Sequence, residues 1–254
     1  MTAEAKDTGL GSVHKALTLV AELATGAAPQ RLGDLAARSG MTKPTVHRLL
    51  RSLTAAGYVR ALGGGLYTVG PALIGVSAAT VGGLKERPLI QRSLNELRTR
   101  TGLTASYAIR WGTSVIVIDN VEPDQAYRVS PRLGVRTPLA ECAAGVAMLA
   151  LDRHPGSDRD AAPAEAEAEA VERARRLGYA YDDEPRQGVR SVASGVARAG
   201  DETGALIVTG LGFNLNAETI EVVGALLAEQ AALLSATLQA VLPAEGHAGN
   251  VGIA

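Results

Sequence analysis

Cysteine is nearly absent: Cys142 is the only one in 254 residues, which excludes an internal disulfide and any cysteine-rich zinc site. The four histidines, His14, His47, His154 and His247, stand far apart and match no metal-ligand spacing. There is no phosphate-binding Walker loop, dinucleotide fingerprint or His-Glu-x-x-His, so neither a cofactor nor a metal is expected. Residues 1–11 include Glu4, Lys6 and Asp7 and hold no apolar run, which argues against a signal peptide. The longest charge-free stretch, 61–84, has seven glycines and Pro71, too many breakers for a bilayer-spanning helix. A cytoplasmic protein with no membrane partner is expected. What is present, 46% hydrophobic and 20% charged residues, excludes disordered and collagen-like classes. The length suits one large domain or two small ones.

The net charge of −1 hides an asymmetry. Residues 1–84 carry eight Lys/Arg against four Asp/Glu, while 85–254 carry seventeen against twenty-two. A small basic segment joined to a larger acidic one points to a polyanion-binding module on its own domain, with ordinary surface scatter as the alternative.

In the basic segment, Val13, Ala16, Leu17, Val20 and Leu23 recur at helical spacing, with Ser12 as N-cap and Gly26 as stop. A second short helix holds Leu32, Leu35 and Ala36 and closes at Ser39-Gly40. The third begins after Thr42, tolerates Pro44 in its first turn, and aligns Val46, Leu49, Leu50 and Leu53 on one face. Opposite that face lie Arg48, Arg51 and Ala55, flanked by His47, Thr45 and Ser52, with Lys43 at the N-terminal end. A helix apolar on one side and basic on the other, after a short turn from a second helix, fits a recognition helix in the DNA major groove. Two strand-like runs follow, 58–60 and 66–69, separated by a loop at 61–65 whose glycines permit positive φ. Three helices and a hairpin make a winged helix-turn-helix.

The segment from 11 to 75 resembles the IclR family of bacterial transcriptional regulators. The resemblance rests on Ser12-Val-His-Lys-Ala-Leu, Leu32-Gly-Asp-Leu-Ala, Gly40-Met-Thr-Lys-Pro-Thr-Val-His-Arg-Leu-Leu, Gly57-Tyr-Val and Tyr67-Thr-Val-Gly-Pro-Ala-Leu. Lys15 stands where members usually have Arg. The resemblance implies an α+β protein: a winged helix-turn-helix DNA-binding domain at 10–70, a linker helix at 71–84, a GAF-like effector-binding domain with a mainly antiparallel sheet at 85–243, and a flexible tail at 244–254. DNA contacts are expected from Arg31, Thr42, Lys43, Thr45, His47, Arg48 and Arg51, with Gly64 and Tyr67 from the wing. The implied partners are a near-palindromic DNA operator, a small-molecule effector and a second copy of the chain, with dimers of dimers left open. The uncharged linker helix, too small to bury its own face, is expected to contribute to the dimer contact.

Beyond residue 84 the pattern alternates: a helix at 87–101 closed by Gly102, strands at 104–110, 114–121 and 126–130, and helices at 142–152 and 164–177. Strands return at 189–197 and 204–210, before a long helix at 217–241. Strands joined by short turns read as an antiparallel sheet with helices on its faces. The alternating Ala/Glu tract 161–170 reads as a solvated helix surface.

Within this domain Pro138 breaks an extended stretch, and the small residues Cys142, Ala143, Ala144 and Gly145 open a helix whose unpaired N–H groups suit a carboxylate. Small residues there serve close packing equally well. By the resemblance this helix start lines the effector pocket, although Ala140 replaces a usual His and Val146 a usual Lys. The resemblance places Thr137, Cys142, Ala143 and Ala144 at the ligand, with Asp182 or Asp183 and Ser191 from the second motif. Val208 and Gly210 take positions where relatives often hold hydroxyls, and Thr209, offset by one, is expected to face the other way. Ser194-Gly195 stands where Ala-Pro is usual. No His or Asp lies at a catalytic spacing from Cys142, so lining is favoured over a nucleophilic or redox role. The reading is a DNA-binding regulator, more a repressor than an activator, with a small organic acid as effector. Its rivals are an enzyme working through the C-terminal domain and a scaffolding module.

Overall fold

The computed structural model describes residues 9–26, 29–152, 165–182, 188–198 and 202–241. Asp183, the tail from 244 and residues 161–164 of the Ala/Glu tract lie outside the described residues. The chain folds as two compact units, Met1–Leu84 and Lys85–Ala254.

The first unit packs α1 (Gly9–Thr25), α2 (Leu32–Ser39) and α3 (Lys43–Ala55) around Leu19, Leu23, Leu35, Val46 and Leu50. On α3 the predicted stripe is the buried one. On α1 only part of it is: Ala16 and Leu23 pack in the core as predicted, but Val13 and Leu17 are 60% and 62% exposed, and Leu19 is buried in their stead. The core takes the face bearing Ala16, Leu19 and Leu23, and α1 begins before Ser12, which is therefore no cap.

A two-residue strand that the pattern had not revealed, β1 (Gln30–Arg31), pairs with β3 (Leu66–Val69), which pairs in turn with β2 (Val59–Gly63). Gln30 is buried where α1, α2 and β1 meet. Its amide nitrogen donates to Glu22 O at 2.9 Å, and its amide oxygen accepts from Arg38, which also pairs with Glu22 at 2.8 Å. These bonds fasten β1 to the helices. The uncharged stretch 61–84 is thereby divided among a hairpin and a separate helix, α4 (Pro71–Gly83), rather than forming one span.

The second unit is a six-stranded antiparallel sheet of β4 (Thr104–Trp111), β5 (Ser114–Val121), β6 (Arg136–Pro138), β7 (Ala180–Tyr181), β8 (Val189–Ala197) and β9 (Thr203–Leu211). Its strand order is β6-β5-β4-β9-β8-β7. Side chains alternate between its two faces. Ala105, Tyr107, Val192, Leu206 and Val208 share a core with α5 (Arg87–Thr101) and α8 (Ala217–Val241). Ala108, Val115, Ala193, Ala205 and Ile207 pack with α6 (Ala143–Leu151) and α7 (Glu165–Leu177). Among the described residues only α8 is long and apolar enough to cross a bilayer, and its residues Leu227, Leu234 and Leu238 are buried in the core.

The expected strand at 126–130 is absent. That segment forms no ladder: Val129 O accepts from the Thr104 hydroxyl at 2.6 Å instead. The outer edge of β5 is taken by β6, with Val115 opposite Thr137.

Tyr107 is fully buried, and among the described residues its hydroxyl has no hydrogen-bond partner. Burial, against the pull of Arg198 and aided by Glu86 and Glu202, pushes its pKa from 10.0 up to about 12. Below pH 10 the phenol is neutral in both folded and unfolded chains. Between pH 10 and about 12 the unfolded chain loses the proton first, so stability falls as pH rises. Tyr107→Phe removes this loss. Urea denaturation should show the variant at least as stable as the parent at pH 7 and relatively more stable near pH 11. A loss above roughly 2 kcal/mol at pH 7 would mean that the hydroxyl is satisfied after all.

Candidate nucleic-acid interface and ligand pocket

The first candidate site is built on α3. Gly40, in the left-handed region at φ 66°, ends α2, and Thr42 in extended backbone starts α3. Thr42 makes no side-chain cap to the backbone; its hydroxyl lies 2.9 Å from that of Thr45 at the N-terminal end of the helix. With Val46, Leu49 and Leu50 facing the core, Lys43, His47, Arg48 and Arg51 are left exposed and Thr45 half-buried. Among the described residues none of these four basic side chains is held by a carboxylate. Several other cations are paired, as in Arg38 with Glu22 and Arg110 with Asp152. A row of exposed cations without internal counter-charges is a surface prepared for an external polyanion.

The wing lies on the same unit. Its turn is shorter than the loop read from sequence: β2 runs to Gly63, opposite Leu66, and Gly64-Gly65 alone makes the reversal with φ of 60° and 74°. Two successive positive φ values are the geometry of a two-residue hairpin turn that only glycine adopts without strain. Arg31 is exposed on β1 opposite Leu66, and the Leu32 N–H donates to Gly65 O at 3.2 Å, so this cation is tied to the wing. Tyr67 is half-buried and packs on the helical core, which makes it a support for the wing as much as a contact. Arg60, exposed on β2 opposite Thr68, adds a cation that the sequence reading passed over.

The second candidate site is a cavity of about 210 Å³ between the α6 face of the sheet and the start of α6. It is smaller than pockets for drug-sized ligands, which typically reach 300–1,000 Å³. Thr137, Cys142, Ala143, Ala144 and Ser191 line it as expected. Val208 and Gly210 do not. They face the α5/α8 core, where a Cβ on Gly210 would meet Leu103 and Leu215, and Thr209 lines the cavity instead. Thr209 lies directly opposite Ser191 in the ladder, and the two hydroxyls are 3.2 Å apart. Ser106, on the central strand β4, also lines the cavity and was missed. The signal available was a lone serine, on the opposite parity to Ala105, Tyr107 and Ile109, within the uncharged, mostly apolar run 105–109. The remaining walls are largely aliphatic, among them Val115, Val117, Val189 and Ile207, and among the described residues no Asp, Glu, Lys, Arg or His lines the space.

Asp182 stands behind the wall rather than in it. One carboxylate oxygen accepts from the Ala143 N–H at 3.1 Å and the other from the Ser191 N–H at 3.0 Å, joining the first turn of α6 to β8. The helix thus has its first N–H group occupied by a side chain of the protein. The next two, on Ala144 and Gly145, lie in the first turn, where the helix itself supplies no acceptor. Gly145 is small for a packing reason: a Cβ there would collide with the Leu139 carbonyl in the preceding turn.

Comparisons with known proteins agree with this division. The IclR helix-turn-helix domain model matches residues 12–63, and the C-terminal domain model of the bacterial transcriptional regulator IclR matches residues 79–236. A glycerol operon regulatory protein of Streptomyces griseus is 30% identical over 216 residues, covering 78% of this chain and 84% of that one. An acetate operon repressor of Salmonella typhimurium is 29% identical over 204 residues, 72% of this chain and 73% of its own. In fold, the chain is similar to an IclR homologue from Microbacterium hydrocarbonoxydans solved with 4-hydroxybenzoate. The TM-score is 0.71 at 17% identity, over 90% of this chain and 99% of that one.

The Asp182 bridge is testable by stability. Asp182→Ala leaves two partly buried N–H groups without their acceptor, which should cost about 1–3 kcal/mol and lower the thermal midpoint by several degrees at neutral pH. An unchanged midpoint would show that α6 is held to β8 by packing alone.

Proposed function

The chain belongs to the IclR family of bacterial transcriptional regulators, and we propose that it is a cytoplasmic repressor whose operator affinity is set by a small organic acid. The observation that carries the DNA-binding half is the unpaired basic face of α3 beside a glycine-turned wing. In the proposed complex, Lys43, Thr45, His47, Arg48 and Arg51 enter the major groove, with Thr42 at the helix start. Arg31 and the wing at Gly64 contact the backbone phosphates.

A homodimer places two such helices on a near-palindrome, about 10–10.5 bp apart or a multiple of that. Exposed apolar side chains support a second copy as partner: Val13 and Leu17 on α1, Ile74 and Val76 on α4. Repression as the sign of control is supported by the named repressor among the relatives.

The acid effector is supported by a small cavity at a helix start with donor groups and, among the described residues, no lining carboxylate. The 4-hydroxybenzoate in the structural neighbour is an acid of suitable size. The cavity serves sensing rather than turnover, in keeping with relatives that are regulators.

Nuclease footprinting upstream of the chain's own gene, with selection from random duplexes, tests the reading. A protected, roughly palindromic site is expected, with affinity that falls steeply as salt rises. Arg48→Ala should weaken specific binding by roughly 1–3 kcal/mol if Arg48 reads a base edge. Failure to select or protect any duplex at low salt would overturn the proposal.

A further inference from the structure

Two consecutive residues of opposite charge stand just past Leu84, where the DNA-binding unit ends, and each holds a different strand of the six-stranded sheet. Glu86 Oε1 accepts from Arg198 Nη2 at 2.5 Å, and Arg198 directly follows β8. Arg87 Nε lies 3.4 Å from Asp119 Oδ2 on β5, and Gln91, one turn along α5, donates to the same oxygen at 2.7 Å. The Glu86–Arg198 pair is enclosed, its side chains 10% and 19% exposed, so parting the two would strand the Glu86 charge in a poorly solvated place. Glu86 therefore follows the end of β8.

β5 and β8 are also two walls of the cavity: Val115 and Val117 line it from β5, Val189 and Ser191 from β8, with β4 and β9 between them in the sheet. Each of the two strands turns one charged group to the opposite face, toward α5. On β8, Arg198 has the parity of Val192 and Val196, which face the α5/α8 core. On β5, simple alternation from Val117 would point Asp119 at the cavity. A bulge prevents this: Val117 pairs with Ala108 and Asp119 with Tyr107, so Ile118 is an extra residue and Asp119 emerges on the α5 side. The bulge lets one strand both line the cavity and grip the helix.

We infer that Glu86 and Arg87 form a charged joint that senses the separation of β5 and β8 across the cavity and passes it to the chain where it enters the effector-binding unit. This rests on the cavity being the effector site proposed above. Both are positioning residues, for neither lines the cavity. An occupant presses on Val117 in one wall and Ser191 in the other. Close-packed walls pass such a displacement along their strands instead of absorbing it. Asp119 and Arg198 then carry it to adjacent residues at the start of α5. The linker helix α4 ends at Gly83, three residues before Glu86. Occupancy thus alters the geometry of the segment that follows the linker, and through it the affinity for DNA.

The test uses the full chain, a duplex obtained by the selection described above, and two ways of filling the cavity that do not depend on the effector's identity. One is Ala144→Leu; the other is alkylation of Cys142, the only thiol, with iodoacetamide. Each filling is made in the parent, in Glu86→Gln and in Arg87→Gln. In the parent at least one filling should shift duplex affinity by about fivefold or more, and in the two variants the same filling should shift it by less than about twofold. Arg87→Lys, which keeps the charge, should retain the parent's shift. Arg87 is exposed, so Arg87→Gln gives a reading even where Glu86→Gln weakens the fold. A staple that merely holds α5 in place would lower the thermal midpoint of the variants and leave the shift at its parental size. A shift of parental size in both variants therefore overturns the joint and leaves the sensing role of the cavity standing. If neither filling changes the parent's affinity, the cavity is not a sensor and the joint fails with it. If the parent selects no duplex, the DNA-binding proposal fails first, and the joint with it.

Discussion

The effector-binding unit depends on the two-residue alternation of its antiparallel sheet. β4 and β9 are central, and their side chains are divided strictly between faces: Ala105, Tyr107, Leu206 and Val208 to the α5/α8 core, Ser106, Ile207 and Thr209 to the α6 side. A slip of one residue in the β4–β9 pairing would bring hydroxyls into the core and leave the cavity lined by valine and leucine. The register that makes a stable core therefore also places the few hydroxyls of a mainly aliphatic pocket. Fold and site cannot be varied independently on these strands.

The DNA-binding unit separates the two tasks differently. On α3 the core face and the basic face are opposite sides of a single helix, so the cations can change without touching Val46, Leu49 or Leu50. Its orientation is set from outside by the short turn after Gly40 and by β1, which anchors Arg31 and the wing to the helical core through Gln30. A buried glutamine with both ends of its amide engaged fixes a position more narrowly than apolar packing alone.

Legibility in the sequence followed the strength of local constraint. α5 is bounded at its C-terminal end by a left-handed Gly102, and its leucine spacing names its buried face, so both were readable. The stripe on α3 was readable for the same reason. On α1, apolar residues occur on more than one face, and only the packing of α2 and α3 selects Leu19 and Leu23 over Val13 and Leu17. The 126–130 segment has a plausible strand composition but joins no ladder: β6 pairs with the Ser114–Ile116 part of the β5 edge, and Val129 is held by the Thr104 hydroxyl instead. Within the pocket, Thr137, Cys142, Ala143, Ala144 and Ser191 were found from motif and helix start. The parity of β9 was inverted, which cost Thr209 and admitted Val208 and Gly210. A family pattern gives which residues come near a ligand, but a strand's facing is decided by its neighbours' register, which a single sequence does not contain.

Gly145 carries a consequence for how such a pocket diversifies. Its Cα lies against the Leu139 carbonyl too closely for any side chain, so this point of the first turn of α6, behind the lining residues Ala143 and Ala144, is closed to substitution. The hydroxyl positions Ser106, Thr137, Ser191 and Thr209 are different: each projects from a strand whose backbone pairing is indifferent to the side chain. Descendants of this sequence can thus exchange one ligand for another by altering four interchangeable positions over an invariant frame. Ligand preference is free to evolve faster than the architecture that senses it.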